Sequence, residues 1–301
     1  MRAVVLNSFS GIEGLSLAEV PDPAPGEGEQ LVRVTAASLG PWDLAGASGA
    51  FAGMGGSSAF PQVQGWDFAG ETADGRSVMG FVAQPWMGVG ALAELIAVPT
   101  SILTTLPPNS LGAEEASALP VCALTAGLLV ETADVGEGDV VLVTGASGMV
   151  GGFVVQLATG RGARVVAAVR AANADEARRL GAERVVDTAG DLAGAIRAEW
   201  AGGVDACIDT VGLGAVGLAC VRDGGAFVTS VPSAIPDAAR DIAPQTVQVQ
   251  PDARQLGELA ERVVAGELTV RVAEVLPLER FREAYELLQG GGLRGKVVLT
   301  P

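Results

Sequence analysis

VVLVTGASGMVGGFVVQLA, residues 140–158, decides the fold. It opens with an uncharged, β-branched run that reads as a buried strand. Gly145, Gly148 and Gly151 interrupt that run, and apolar residues at helical spacing follow. A strand, a glycine turn and a helix in this order have a definite physical use. One glycine lets the chain turn tightly, one lets a phosphate approach the backbone, and one lets the helix pack against the strand. Ala146, Ser147, Met149 and Val150 fill the rest of the turn, where helix N–H groups and the helix dipole favour an anion. Residues 145–151 are therefore candidate contacts for the pyrophosphate of a dinucleotide.

The flanking sequence supplies the context that a lone glycine motif lacks. RVVAAVR (164–170), RVVD (184–187), VDACIDTVG (204–212) and GGAFVTSVP (224–232) read as further short apolar strands, with helical segments such as ADEARRLG and AGAIRAEWAG between them. Strands of this kind alternating with helices form a parallel sheet covered on both faces, the doubly wound arrangement. The second strand ends at Arg170, about twenty residues beyond the turn, where an NAD-binding chain usually carries Asp or Glu. Arginine there offers a planar, permanently charged fork to a 2′-phosphate. The expected cofactor is NADPH.

Outside this region the texture differs. RAVVL (2–6) and LVRVTAAS (31–38) read as strands separated by the turn-rich PDPAPGEGEQ. Residues 36–110 are dense in Gly, Pro and aromatics, which predicts short strands and tight turns of a β-barrel-like domain rather than helices. Trp42, Trp66 and Trp86 fall here, either lining a pocket or filling a β-core. Asn109 or Ser110 can cap the helix that follows. After a strand-like TVQVQ (246–250), the helical DARQLGELAERVVAG and ERFREAYELLQGG and the strands LTVRVAEVLPL and GKVVLTP lack the βα rhythm. The C-terminus is thus expected to return to the first domain.

Composition excludes several classes. The 301 residues carry 19 Lys+Arg against 35 Asp+Glu, a net charge of −16 that argues against a nucleic-acid partner. No histidine is present, which removes every His-ligated metal and every His base. Cys122, Cys207 and Cys220 form no C-x-x-C pair and read as buried hydrophobes of a reducing, cytoplasmic protein, with no metal expected. No secretory signal and no apolar run of about 18 residues is visible, so no membrane association is expected. The opening TGASGMVG also suits short-chain reductases, but those need Tyr-x-x-x-Lys, and the only tyrosine and lysine are Tyr285 and Lys296. Tyr285 sits at helical spacing with Phe281 and Leu288 and reads as core.

Taken in order, VPDPAPGEGEQLVRVTAAS, GWDFAG, GALAELIAVPTSILTTLPPNSLGAEEASALPVCALTA, VLVTGASGMVGGFVVQLA, RRLGAERVVD, CIDTVG and RGKVVL resemble the zinc-independent branch of the medium-chain dehydrogenase/reductase superfamily, close to the quinone oxidoreductases. The resemblance implies an α/β chain with a GroES-like β-barrel domain (1–115 and 268–301) and an inserted Rossmann domain (116–267). It also places Thr125, Asp209–Gly212 (with Thr210 and Val211), Thr229, Ser230, Val231 and Lys296 along the cofactor, and implies a homodimer. The chain departs from the relatives at three points. Gly40 stands where an asparagine usually precedes Asp43, Asn173 where a lysine is frequent, and Leu95 where an aromatic is common.

Without zinc ligands, alcohol oxidation loses its Lewis acid, and hydride transfer to an already electrophilic small molecule remains: a quinone, an enone or another α,β-unsaturated carbonyl. Asp43 and Asp67 are the candidate acids; Trp42, Gln64 and Trp66 are the candidate pocket. Two alternatives stay open: a non-redox or cyclising step in biosynthesis, and nucleotide binding with little turnover.

Overall fold

Val140–Thr144 is buried at every position, as its run of Val and Leu requires. It is the first strand of a six-stranded parallel sheet. Numbered along the chain, these strands are Val140–Thr144, Arg164–Val169, Arg184–Asp187, Val204–Asp209, Val221–Thr229 and Gln245–Thr246. Their spatial order is third, second, first, fourth, fifth, sixth, the doubly wound order in which ligands bind where the winding reverses, between the first and fourth strands. In the computed structural model, which describes residues 1–108 and 110–301, every pairing in this sheet is parallel. The β-structure of TVQVQ shrinks to Gln245–Thr246, two exposed residues at the sheet edge. The helices Met149–Gly160, Ala174–Arg179, Leu192–Glu199 and Ala215–Ala219 connect the strands. Asp191 caps the third of these by accepting from the Gly194 N–H at 2.9 Å.

The chain divides into two compact units, one made of 1–121, 250–266 and 270–301, the other of 122–249 and 267–269. The helix Ala253–Val264 groups with the first unit, whereas the sequence reading set it within 116–267. Asp252 caps it on Gln255, and the Thr104 hydroxyl donates to the Ala253 carbonyl at 2.8 Å.

The first unit is mostly antiparallel. Glu29–Leu39 is its longest strand and pairs with Asp67–Thr72, Leu95–Pro99 and Lys296–Thr300. The last of these pairs in parallel with Val272–Pro277, so the C-terminal strands do join the β-unit. A smaller sheet joins Leu15–Glu19, Arg2–Leu6 and Gln62–Val63. Its core gathers Leu6, Val34, Leu39, Phe68, Leu92 and Tyr285, the last fully buried.

Two local expectations fail. Residues 36–110 do contain helix: Pro41–Ala47 forms because Pro41 is preset for a first helical position and Asp43 satisfies the Gly40 N–H at 2.8 Å. The helix after the barrel starts at Ala113 with Gly112 as cap; the Ser110 hydroxyl instead donates to the Pro107 carbonyl at 2.7 Å, and Asn109 lies outside the described residues.

Candidate active site

The glycine turn closes as its sequence demands. Gly145 has φ +64°, the left-handed region that glycine enters without penalty, and its carbonyl accepts from the Gly148 N–H at 2.8 Å. Gly148 caps the helix Met149–Gly160, whose first N–H groups point back at the turn. A Cβ on Gly151 would lie 2.3 Å from the Gly145 carbonyl oxygen, a backbone atom that cannot swing aside. One on Gly145 would lie 2.4 Å from Val211 Cγ1 and 2.7 Å from Thr210 Oγ1. Thr210 and Val211 therefore lie against the turn. Ala146 is buried there, Gly148 is exposed, and Ser147, Met149 and Val150 are half-buried.

Neighbouring strand ends continue the row. The Thr229 hydroxyl donates to the Asp209 carbonyl at 3.0 Å and accepts from the Val231 N–H at 3.0 Å, while the Ser230 N–H donates to that same Asp209 carbonyl. On the other side, the Gly145 N–H donates to the Ala168 carbonyl at 3.2 Å, two residues before Arg170. Arg170 is exposed and makes no ion pair with the described residues. Asn173, on the turn after it, donates to the Ser147 hydroxyl at 3.1 Å and so ties this segment to the glycine turn. Thr125 is buried in the middle of the helix Pro120–Thr132.

Within the β-unit a second constellation forms. Asp67 accepts from the Val121 N–H at 2.8 Å and from the Lys296 ammonium at 3.1 Å. Lys296 is 3 % exposed, and its ammonium lies 4.4 Å from the centre of the Trp42 ring. That ammonium is thus engaged by the protein itself, with a carboxylate and with an aromatic face among its contacts. Trp42, Trp66, Phe51 and Trp86 interlock, with centroids 6.2 Å apart for Trp42–Trp66 and 6.1 Å for Trp66–Trp86. Gln64 is buried and donates to the Gln62 carbonyl at 3.1 Å, so its amide is engaged locally.

Asp43 is the anomaly. One carboxyl oxygen serves the Gly40 N–H; the other, with the Trp42 indole N–H and the Tyr285 hydroxyl, is buried without a hydrogen-bond partner among the described residues. Burial pushes the Asp43 carboxyl up to about 7, against the pull of the Gly40 N–H and the Lys296 ammonium. Burial raises Asp67 too, opposed first by Lys296. Burial drives the Tyr285 hydroxyl well above its ordinary value, with Asp43 adding to the rise. A buried acid that titrates near neutrality can hold a proton and release it within the working range of an enzyme. The departure at position 40 also has a cause: a side chain there would strike the Trp42 ring, whose atoms lie 2.3–2.6 Å from its Cβ position.

Comparison with known proteins identifies this scaffold. A profile of the zinc-binding dehydrogenase family matches residues 180–299. The probable zinc-binding oxidoreductase of Arthroderma benhamiae is 30 % identical over 95 % of this chain and 92 % of its own length. The chain belongs to the zinc-binding dehydrogenase family. Its place is in the medium-chain dehydrogenase/reductase superfamily, whose members are nicotinamide-dependent oxidoreductases built from GroES-like and Rossmann domains. A quinone oxidoreductase structure from Coxiella burnetii covers all of this chain and 99 % of its own, with TM-score 0.90 and 28 % identity. The chloroplast envelope quinone oxidoreductase homolog of Arabidopsis thaliana is 37 % identical, but the match spans only 62 % of this chain and 61 % of that protein.

The family's metal does not fit the residues of this chain. Zinc takes Cys, His or carboxylate ligands, and the chain has no histidine. Cys122, Cys207 and Cys220 are buried as expected, with burial raising the Cys207 thiol well above its usual range and the Cys220 thiol to about 11. No group of three or more potential ligands gathers among the described residues. The dinucleotide fits better: a cradle kept open by Gly145 and Gly151 lies at the reversal of the sheet.

The resemblance set Asp209 along the cofactor, but nothing in the sequence showed what its carboxylate holds. The hydrogen bond from Asn173 to Ser147 and the folding of Trp42 over Gly40 left no signal in the sequence.

Proposed function

We propose that this chain is an NADPH-dependent reductase that passes hydride to a quinone, an enone or another conjugated carbonyl, without a metal ion. The observation that carries the proposal is the glycine turn beneath Thr210 and Val211 with Arg170, which pairs with no acid among the described residues, one strand away. In this reading residues 145–151 hold the pyrophosphate, Arg170 holds the 2′-phosphate, and Thr229–Val231 extend the same contact row. When bound, the dinucleotide supplies a hydride to an electron-poor carbon.

The remaining requirement is a proton for the reduced carbonyl compound. Asp43, rather than Asp67, suits that role: Asp67 has both oxygens engaged by Val121 and Lys296, whereas Asp43 has one oxygen with no hydrogen-bond partner among the described residues and titrates near neutrality. Trp42 and Trp66 supply an aromatic wall that excludes water and suits a planar acceptor. Lys296, whose ammonium carries three N–H donors, belongs to the same proposal as a cofactor contact. Homodimer assembly and a cytoplasmic location belong to the same proposal; no described helix is long and apolar enough to cross a membrane.

The deciding experiment titrates wild type and Arg170→Ala with NADPH and NADH. The expected result is an NADPH affinity about tenfold lower in the variant, roughly the loss of one charge-assisted phosphate contact, with NADH binding unchanged. Equal losses for both nucleotides would contradict the 2′-phosphate assignment. NADPH bound but never consumed with any quinone or enone would favour the binding-only alternative.

A further inference from the structure

Asp209 ends the fourth strand of the parallel sheet, and in register it stands beside Thr144, the last residue of the first. These two strands flank the reversal of the winding. Asp209 is fully buried, and four donors converge on its carboxylate. One oxygen accepts from the Thr144 hydroxyl at 2.6 Å, the Val211 N–H at 3.2 Å and the Gly212 N–H at 3.0 Å; the other accepts from the Gly214 N–H at 2.9 Å. The loop thereby held is tied to the glycine turn a second time. Thr210 donates its N–H to the Thr144 hydroxyl at 3.1 Å and its own hydroxyl to the Thr144 carbonyl at 2.7 Å, immediately before Gly145.

We infer that Asp209 is a positioning residue for the nucleotide site: its carboxylate curls residues 210–214 over the glycine turn and so fixes the width of the cradle. The inference rests on the reading of that turn as a dinucleotide site. A carboxylate buried at a strand end is costly unless donors surround it. Here three of the four donors are backbone amides of the loop itself, so the loop's curvature and the satisfaction of the acid are one event. Val211 is pressed against Gly145 by this curl, although its side chain remains 55 % exposed. An exposed valine held at the mouth of the turn offers an apolar face to whatever lies in the cradle.

The atoms differ in importance. Asp209→Asn can keep a carbonyl oxygen toward Thr144, Val211 and Gly212 but turns an amide NH2 toward the Gly214 N–H, donor against donor. Thr210→Val removes only the hydroxyl that holds the Thr144 carbonyl and leaves the acid satisfied.

The test measures NADPH binding by fluorescence titration, steady-state KM and kcat with 9,10-phenanthrenequinone as acceptor, and melting temperature without nucleotide, for the full chain and both variants. The expected result for Asp209→Asn is a Kd and KM for NADPH raised about tenfold with kcat within about twofold, and for Thr210→Val a rise of about threefold with melting unchanged. Wild-type protein that binds neither NADPH nor NADH would overturn the reading of the turn, and this inference with it. Wild type that binds while both variants match it would overturn the inference alone. So would affinity losses that merely follow the fall in melting temperature across the two variants.

Discussion

Asp43 illustrates how much a single side chain can carry. Its carboxyl titrates at about 7 because burial disfavours the charge more than the Gly40 N–H and Lys296 favour it. The folded protein therefore binds this proton more tightly than the unfolded chain does. The stability contributed by the neutral acid is lost as pH rises from the ordinary carboxylate range through about 7. Asp43→Asn keeps an acceptor for the Gly40 N–H and cannot ionise. Its melting temperature relative to wild type should thus rise as the buffer is taken from below this window to above it. A difference independent of pH would remove Asp43 from the set of perturbed acids. Lys296 shows what a sequence conceals at this scale. Its neighbours RGKVVL suggest either a cofactor contact or a surface charge, yet it is buried on Asp67, 229 positions away in the chain.

At the scale of elements, the strand, the turn and the helix of 140–158 were legible because each rests on local chemistry: β-branched residues, glycines and helical spacing. The same holds for the later βα units. The helix Pro41–Ala47 was missed because Gly, Pro and Trp suppress helical periodicity, and only the pairing of Asp43 with Gly40 reveals the start. The Asp209 loop was legible as a strand end along the cofactor, but not the folding of its own amides onto the acid, nor the Thr144 donor that the register of Val204–Asp209 against Val140–Thr144 supplies. The turn itself makes a sharp prediction. Gly151→Ala forces a methyl group into the Gly145 carbonyl and should cost about 1–3 kcal/mol of stability together with most nucleotide affinity. Gly190→Ala, in the same unit with open space around it, should change neither. Denaturant melts and titrations of the two variants compare them directly, and equal behaviour would show that the close approach at Gly151 is dispensable.

For the whole molecule, order along the chain explains why so much could be read: the nucleotide unit is almost one continuous segment, 122–249, and the β-unit is completed by returning strands. What could not be read is the acceptor, because loops and aromatic stacking shape its pocket rather than any motif. The net charge of −16 repels an anionic dinucleotide, so the proposed function assigns binding to the local turn, its helix terminus and Arg170 rather than to long-range attraction. In the proposed function a nucleotide held there gives its hydride to a conjugated carbonyl. The decisive measurement is mass spectrometry of the product after NADPH carrying deuterium at each face of C4 in turn is incubated without oxygen with an enone. Deuterium is expected on the carbon β to the carbonyl from one face only, one atom per NADPH consumed. An unlabelled product, or NADPH that remains unconsumed with enones and quinones alike, would contradict it.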